Sequence, residues 1–132
     1  MNVSIDTNVL ARALLADDPA QTRAARNLLR DAASIAVPLP CLCELVWILR
    51  RGAKLTTEDV AAAIRALLNA RNVAMNRPAV EAGLRLFEAG GDFADGVIAY
   101  EGRWLGGETF VSFDQKAVAL LSQQGEAARL LA

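Results

Sequence analysis

The chain has 132 residues, 54% of them hydrophobic and 22% charged, with a net charge of −1 and a pI of about 5.4. That length fits a single domain, 1–132, with a substantial core, and the charge balance excludes a strongly basic nucleic-acid binder, so RNA or DNA contact would rest on a local basic patch. Histidine is absent, which removes Ser-His-Asp and Cys-His catalysis, imidazole zinc sites and histidine general bases.

Taken in chain order, "NVSI" reads as a strand and Val9 to Leu15 as a short helix. Asp18, Pro19 and Gln21 supply an N-cap, an N1 proline and an approximate capping box for a helix to about Asp31. "SIAVP" is a second strand. Pro40 starts a helix to Arg51, with Gly52 as its C′ glycine. Thr56 and Asp59 resemble a capping box for a helix whose core face is Val60, Ile64, Leu67 and Leu68. "NVAM" is a third strand, and Asn76 caps a helix with Val80, Leu84 and Phe87 on one side, ended by Gly90-Gly91. Phe93 to Trp104 is helical, "TFVSF" is a fourth strand, Gln115 to Gln123 is helical, and "ARLL" is a weak fifth strand.

Strands alternating with helices predict an α/β fold: a central, mostly parallel sheet of four to five strands flanked by helices. Ligands in such sheets bind beyond the carboxyl ends of the strands. Cys41 and Cys43, the only cysteines, suit neither a disulfide framework nor a four-ligand zinc site, and point to a reducing compartment. No signal peptide is visible. The longest apolar tract, Val37 to Leu49, is too short to span a bilayer. A soluble, cytoplasmic protein without a membrane partner is the expectation.

Several acids attract attention against this frame. Glu44 sits in "CLCELVWIL" with Pro40, Cys41, Trp47 and Ile48 at helical i±3 and i±4, so no intrahelical salt bridge is available. The sequence therefore predicts a distant partner for it, whether a cation, a long-range arginine or a wet helix edge. Asp6 and Asp114 each follow an apolar strand. Each is also well placed to cap the next helix, as is Asp92. Asp95 is less well explained, because it lies one turn from Ile98 and Ala99.

Carboxylates without histidine suit hard cations such as Mg²⁺ or Mn²⁺, which prefer oxygen ligands. A metal so held activates water and neutralises charge on a phosphodiester. Crowded carboxylates without a cation would repel one another and raise their pKa values.

The motifs "IDTNVLARALL", "LCELVWILRRG", "DFADGVIAY" and "SFDQKA" occur in the order and approximate spacing of PIN-domain ribonucleases, and the chain most resembles the toxins of VapBC-type toxin–antitoxin pairs. The resemblance implies a PIN-like three-layer fold and Mg²⁺- or Mn²⁺-dependent cleavage of RNA. By motif position it implies Asp6, Glu44 and Asp95 as core metal-binding acids, Asp114 completing the quartet, and Asp92 as an outer ligand. Asn8 and Ser112 match polar positions that would orient these acids by hydrogen bonds. Such toxins form homodimers and hold a cognate antitoxin over the acidic site, so both partners are expected, and Trp47 and Leu68 lie on apolar helix surface that would otherwise belong to the core. The sequence departs from the pattern at Gly96, where alanine is common, and at "SFD" in place of "TFD"; glycine in a helix costs up to about 1 kcal/mol relative to alanine.

Arg50, Arg51, Lys54, Arg103 and Lys116 are the candidate RNA contacts, although Arg50 and Arg51 also suit the end of a helix dipole. Two other readings stand beside the nuclease. One is a non-catalytic PIN-fold module binding RNA or antitoxin. The other is an aspartate-nucleophile phosphatase using Asp6, which lacks the nearby partner motif such enzymes need.

Overall fold

The structure, a computed structural model, describes residues 1–132 and divides into two compact units, Met1–Asn76 and Arg77–Ala132. In the first unit, strand β1 (Asn2–Ser4) leads into helix α1 (Thr7–Leu15) and α2 (Pro19–Asp31). Strand β2 (Ser34–Ala36), helix α3 (Leu39–Trp47), helix α4 (Thr57–Asn69) and strand β3 (Val73–Ala74) follow. The strands form a parallel sheet in the order β1-β2-β3, with Val3 opposite Ile35 and Ile35 opposite Val73. Apolar periodicity on the helices fills the space around this sheet: Leu10, Ile35, Leu42, Leu45, Leu49, Val60 and Ile64 are fully buried.

Local signals account for most helix starts in this unit. Asp18 caps α2 by accepting from Gln21 N–H at 3.1 Å, and Thr56 caps α4 by accepting from Asp59 N–H at 3.1 Å. The Gln21 side chain does not close a capping box. It accepts instead from Arg12 Nε at 2.8 Å.

The end of α3 differs from the sequence expectation. The chain widens into a π-helical turn over Ile48–Gly52, closed by hydrogen bonds from Ala53 N–H to Ile48 C=O and from Leu55 N–H to Leu49 C=O. The left-handed residue is Lys54, at φ 58°, and not Gly52. A wider turn moves the reversal two residues downstream of the glycine.

The second unit contains α5 (Arg77–Glu88), α6 (Phe93–Trp104), strand β4 (Phe110–Ser112), α7 (Gln115–Gln123) and strand β5 (Ala128–Leu130). Strands β4 and β5 pair in parallel, with Phe110 opposite Ala128 and Ser112 opposite Leu130. All five expected strands therefore exist and pair in parallel, as a three-stranded sheet and a two-stranded one. Helix α5 ends as the sequence indicates. Gly90 takes φ +103°, its N–H bonds to Phe87 C=O, and Gly91 N–H bonds to Leu86 C=O, which is a Schellman closure.

Helices α5 and α6 meet at two glycines. A Cβ on Gly96 would lie 2.7 Å from the Ala82 carbonyl oxygen and 2.8 Å from Gly83 Cα, and one on Gly83 would lie 2.8 Å from the Phe93 ring. The glycine that departs from the resembled pattern is thus required here, because the helix backbones approach too closely for alanine. Around this crossing Leu84, Leu86, Phe93 and Val97 are buried, and Leu86, Ala99 and Leu121 form a cluster against which Phe110, Leu120 and Ala128 pack.

Candidate functional site

Three of the sequence-predicted acids stand at helix N-termini, and each caps its helix with one oxygen. Asp6 Oδ1 accepts from Val9 N–H at 3.2 Å at the start of α1. Asp92 Oδ1 accepts from Ala94 N–H at 3.2 Å at the start of α6. Asp114 Oδ1 accepts from Lys116 and Ala117 N–H, at 2.9 and 3.1 Å, at the start of α7. Capping and site membership are therefore compatible, since the cap fixes each carboxylate and leaves Oδ2 available. None of Asp6, Glu44, Asp92, Asp95 and Asp114 takes part in an ion pair.

In the first unit the fold brings Asp6 and Glu44 to one thiol. Cys41 is buried between α1 and α3, and loss of solvent pushes its thiol pKa upward; a hydrogen bond with Thr7 opposes this, while the negative charges of Asp6 and of Glu44 add to the rise. Two acids far apart in sequence thus act on the same atom. Glu44 itself is exposed. Pro40, Glu44, Trp47 and Arg51 form one solvent-facing stripe at i, i+4, i+7 and i+11, while Cys41, Leu42, Leu45 and Val46 face the core. No arginine pairs with it, and it stands on the wet side of the helix. Trp47 is 63% exposed on that same stripe, whereas Leu68 is buried in the core.

In the second unit Asp92, Asp95 and Asp114 form a negatively charged group. Asp95 is half-buried in the first turn of α6 and makes no hydrogen bond. Its pKa is raised above the usual carboxylate value, first by loss of solvent, then by the charges of Asp92 and of Asp114. This is the mutual repulsion expected of carboxylates gathered without a cation. These oxygen donors suit a hard divalent ion, although within neither unit do three acids or thiols converge as a complete metal cage.

The remaining sequence-predicted residues fall out unevenly. Ser112 Oγ accepts from Asp114 N–H at 3.0 Å and so fixes the turn that carries this acid. Asn8 is exposed and hydrogen-bonds to none of the acids; Thr7, buried beside it, contacts Cys41 instead. Arg50 donates to the Leu55 carbonyl at 3.3 Å, and Arg51 and Lys54 are exposed. Arg103 is ion-paired with Glu126 and lies 5.8 Å from the centre of the Tyr100 ring, so its charge is already engaged. Lys116 is exposed, at the start of α7.

Residue-by-residue reading missed Cys41 and Thr7 as the groups lying near Asp6 and Glu44. The available signal was the placement of Cys41 one helical turn before Glu44.

Parallel strands, acids that cap helices in both units and a repelling group of carboxylates in the second unit define an α/β protein with acids gathered at helix N-termini. The PIN domain family matches residues 3–120, and the chain belongs to that family. No curated protein matches it. PIN domains are nuclease-type hydrolases that usually use divalent metals. No helix of the chain is long and apolar enough to cross a membrane.

Proposed function

We propose that the chain is a cytoplasmic Mg²⁺- or Mn²⁺-dependent endoribonuclease that acts as the toxin of a toxin–antitoxin pair. The observation that carries this reading is Asp95, a half-buried acid whose side chain has no hydrogen-bond or ion-pair partner and whose pKa is raised by loss of solvent and by the charges of Asp92 and Asp114. Such a group is costly in a purely structural role and useful as an oxygen donor to a cation. The family resemblance proposes Asp6, Glu44, Asp95 and Asp114 as donors, with Asp92 as an outer ligand.

When bound, a divalent cation lowers the pKa of water and neutralises charge developing on a phosphodiester. The chain's own contribution is positional. The caps at Asp6, Asp92 and Asp114 hold one oxygen of each carboxylate against a helix terminus, so the other is presented in a fixed orientation. Ser112 and Thr7 restrain the backbone and thiol beside them.

Arg51, Lys54 and Lys116 remain the cations proposed to meet RNA phosphates. A homodimer and a cognate antitoxin belong to the same reading, supported by the exposure of Trp47, Trp104 and Leu105.

One observation favours a second reading, a non-catalytic PIN-fold module that binds RNA or antitoxin: large apolar side chains, Trp47, Trp104 and Leu105, stand exposed. The deciding assay incubates purified, antitoxin-free protein with structured RNAs, with and without Mn²⁺ or Mg²⁺. Metal-dependent cutting that Asp6→Asn and Asp95→Asn each reduce by about 10²-fold or more supports the nuclease. RNA that is bound but intact under every condition supports the binding module.

A further inference from the structure

The four phenylalanines of the chain divide sharply. Phe87 and Phe93 are buried and Phe110 packs on the Leu86–Ala99–Leu121 cluster, but Phe113 is 74% exposed, immediately before Asp114. Its backbone is held from both sides. Leu131 N–H bonds to the Ser112 carbonyl at 2.8 Å, Asp114 N–H bonds to Ser112 Oγ at 3.0 Å, and the Asp114 carboxylate caps α7. Val111 is exposed and in register with the exposed Arg129 on β5, and Phe113 follows one residue beyond the end of β4. An exposed aromatic ring thus directly precedes Asp114, with the exposed Arg129 on the neighbouring strand.

We propose that Phe113 is a stacking platform for one nucleobase of a single-stranded RNA substrate, next to the phosphate that approaches Asp114; this rests on the ribonuclease reading above. Positions 113 and 114 are adjacent in the chain, so a phosphate held near Asp114 leaves a neighbouring base within reach of the exposed ring at position 113. A base offers its face to a side chain only when unpaired and unstacked, which selects a single strand or loop. Arg129, exposed on the neighbouring strand β5, adds a positive charge for the strand's phosphates. The other strongly exposed ring of this unit, Trp104, does not fit the role. It is hydrogen-bonded to the Tyr100 hydroxyl at 2.6 Å and lies about 14 Å along α6 from Asp95, at ~1.5 Å per residue.

The test uses the full chain, Mn²⁺ and a short single-stranded RNA with one mapped cut, together with versions of that RNA made abasic at each nucleotide flanking the cut. Phe113→Leu is expected to raise KM by about 5- to 100-fold, and Phe113→Trp to restore it. One abasic position should weaken the wild type by a similar factor and leave Phe113→Leu unaffected, a pairing that a merely structural role would not produce. An unchanged KM for Phe113→Leu, or an abasic penalty equal in both proteins, overturns the assignment. So does a Phe113→Leu effect confined to self-association in sedimentation, which would give the ring to a protein contact. If the wild type cuts no RNA in Mn²⁺, the ribonuclease reading fails and this inference with it, whereas cutting with an unchanged Phe113→Leu KM defeats the inference alone.

Discussion

The Asp95 carboxyl loses solvent on folding and faces Asp92 and Asp114, so the folded chain holds its proton more tightly than the unfolded chain does. The sign of the linkage follows. Below the ordinary value of 3.8 both states are protonated and Asp95 has no effect. As pH rises from there through the raised folded value, the unfolded state ionises first and stability falls, then levels off. Asp95→Asn should therefore stabilise the metal-free protein at neutral pH, with the gain shrinking toward zero near pH 3. Thermal melts in EDTA across that range measure it, and a gain that persists at low pH would contradict the electrostatic account.

Cys41 offers a second probe at this scale. Burial and the nearby charges of Asp6 and Glu44 keep its thiol protonated at neutral pH, so pulsed alkylation should label it slowly. Asp6→Asn and Glu44→Gln should each speed the labelling, as read by peptide mass spectrometry. Equal rates in all three proteins would mean that the acids do not act on that sulfur. The residue scale also shows what a sequence hides. Glu44 looks stranded among apolar letters, yet those letters belong to the other side of α3, and only the register of the helix on its core decides which side is wet.

Among the elements, helix starts were legible and one helix end was not. Asp6, Asp18, Thr56, Asp92 and Asp114 all cap as their spacing indicates, because an N-cap is a contact across three residues. The end of α3 was misread at Gly52, since a π turn depends on how Leu49 and Leu55 are held and not on where the glycine falls. Gly96 is the opposite case, a residue that local propensity marks as a weakness and packing makes necessary. Gly96→Ala gains up to about 1 kcal/mol of helix propensity but must displace the Ala82 carbonyl, so a net loss of about 1–3 kcal/mol is expected. At roughly 4 °C per kcal/mol the melting temperature would fall by several degrees. An unchanged or higher value would show that α5 and α6 can separate freely.

At the level of the whole molecule, the alternation of strands and helices predicts one central, mostly parallel sheet of four to five strands, whereas the five strands are grouped as a sheet of three and a sheet of two. Pairing partners are set by contacts between distant segments, of which single-sequence periodicity carries no record. The composition likewise told little about ligands, because a net charge of −1 conceals acids concentrated at helix starts. A ligand that binds only the folded chain stabilises it by mass action, by about 2.7 kcal/mol at a hundred times its Kd. Added Mn²⁺ should accordingly raise the melting temperature, EDTA should reverse the shift, and Asp95→Asn should lose most of it. A shift of equal size in that variant would locate the ion elsewhere.

If the acids at positions 6, 92 and 114 serve the proposed nuclease, their helix caps also shape how mutation would silence it. Asparagine initiates a helix about as well as aspartate, whereas alanine forfeits typically about 1 kcal/mol. A chain losing charge there through asparagine should accumulate as a well-folded decoy, still presenting its surface to whatever recognises the active form, while one losing it through alanine becomes easier prey for proteases. The two routes to inactivity would leave different amounts of protein in the cell.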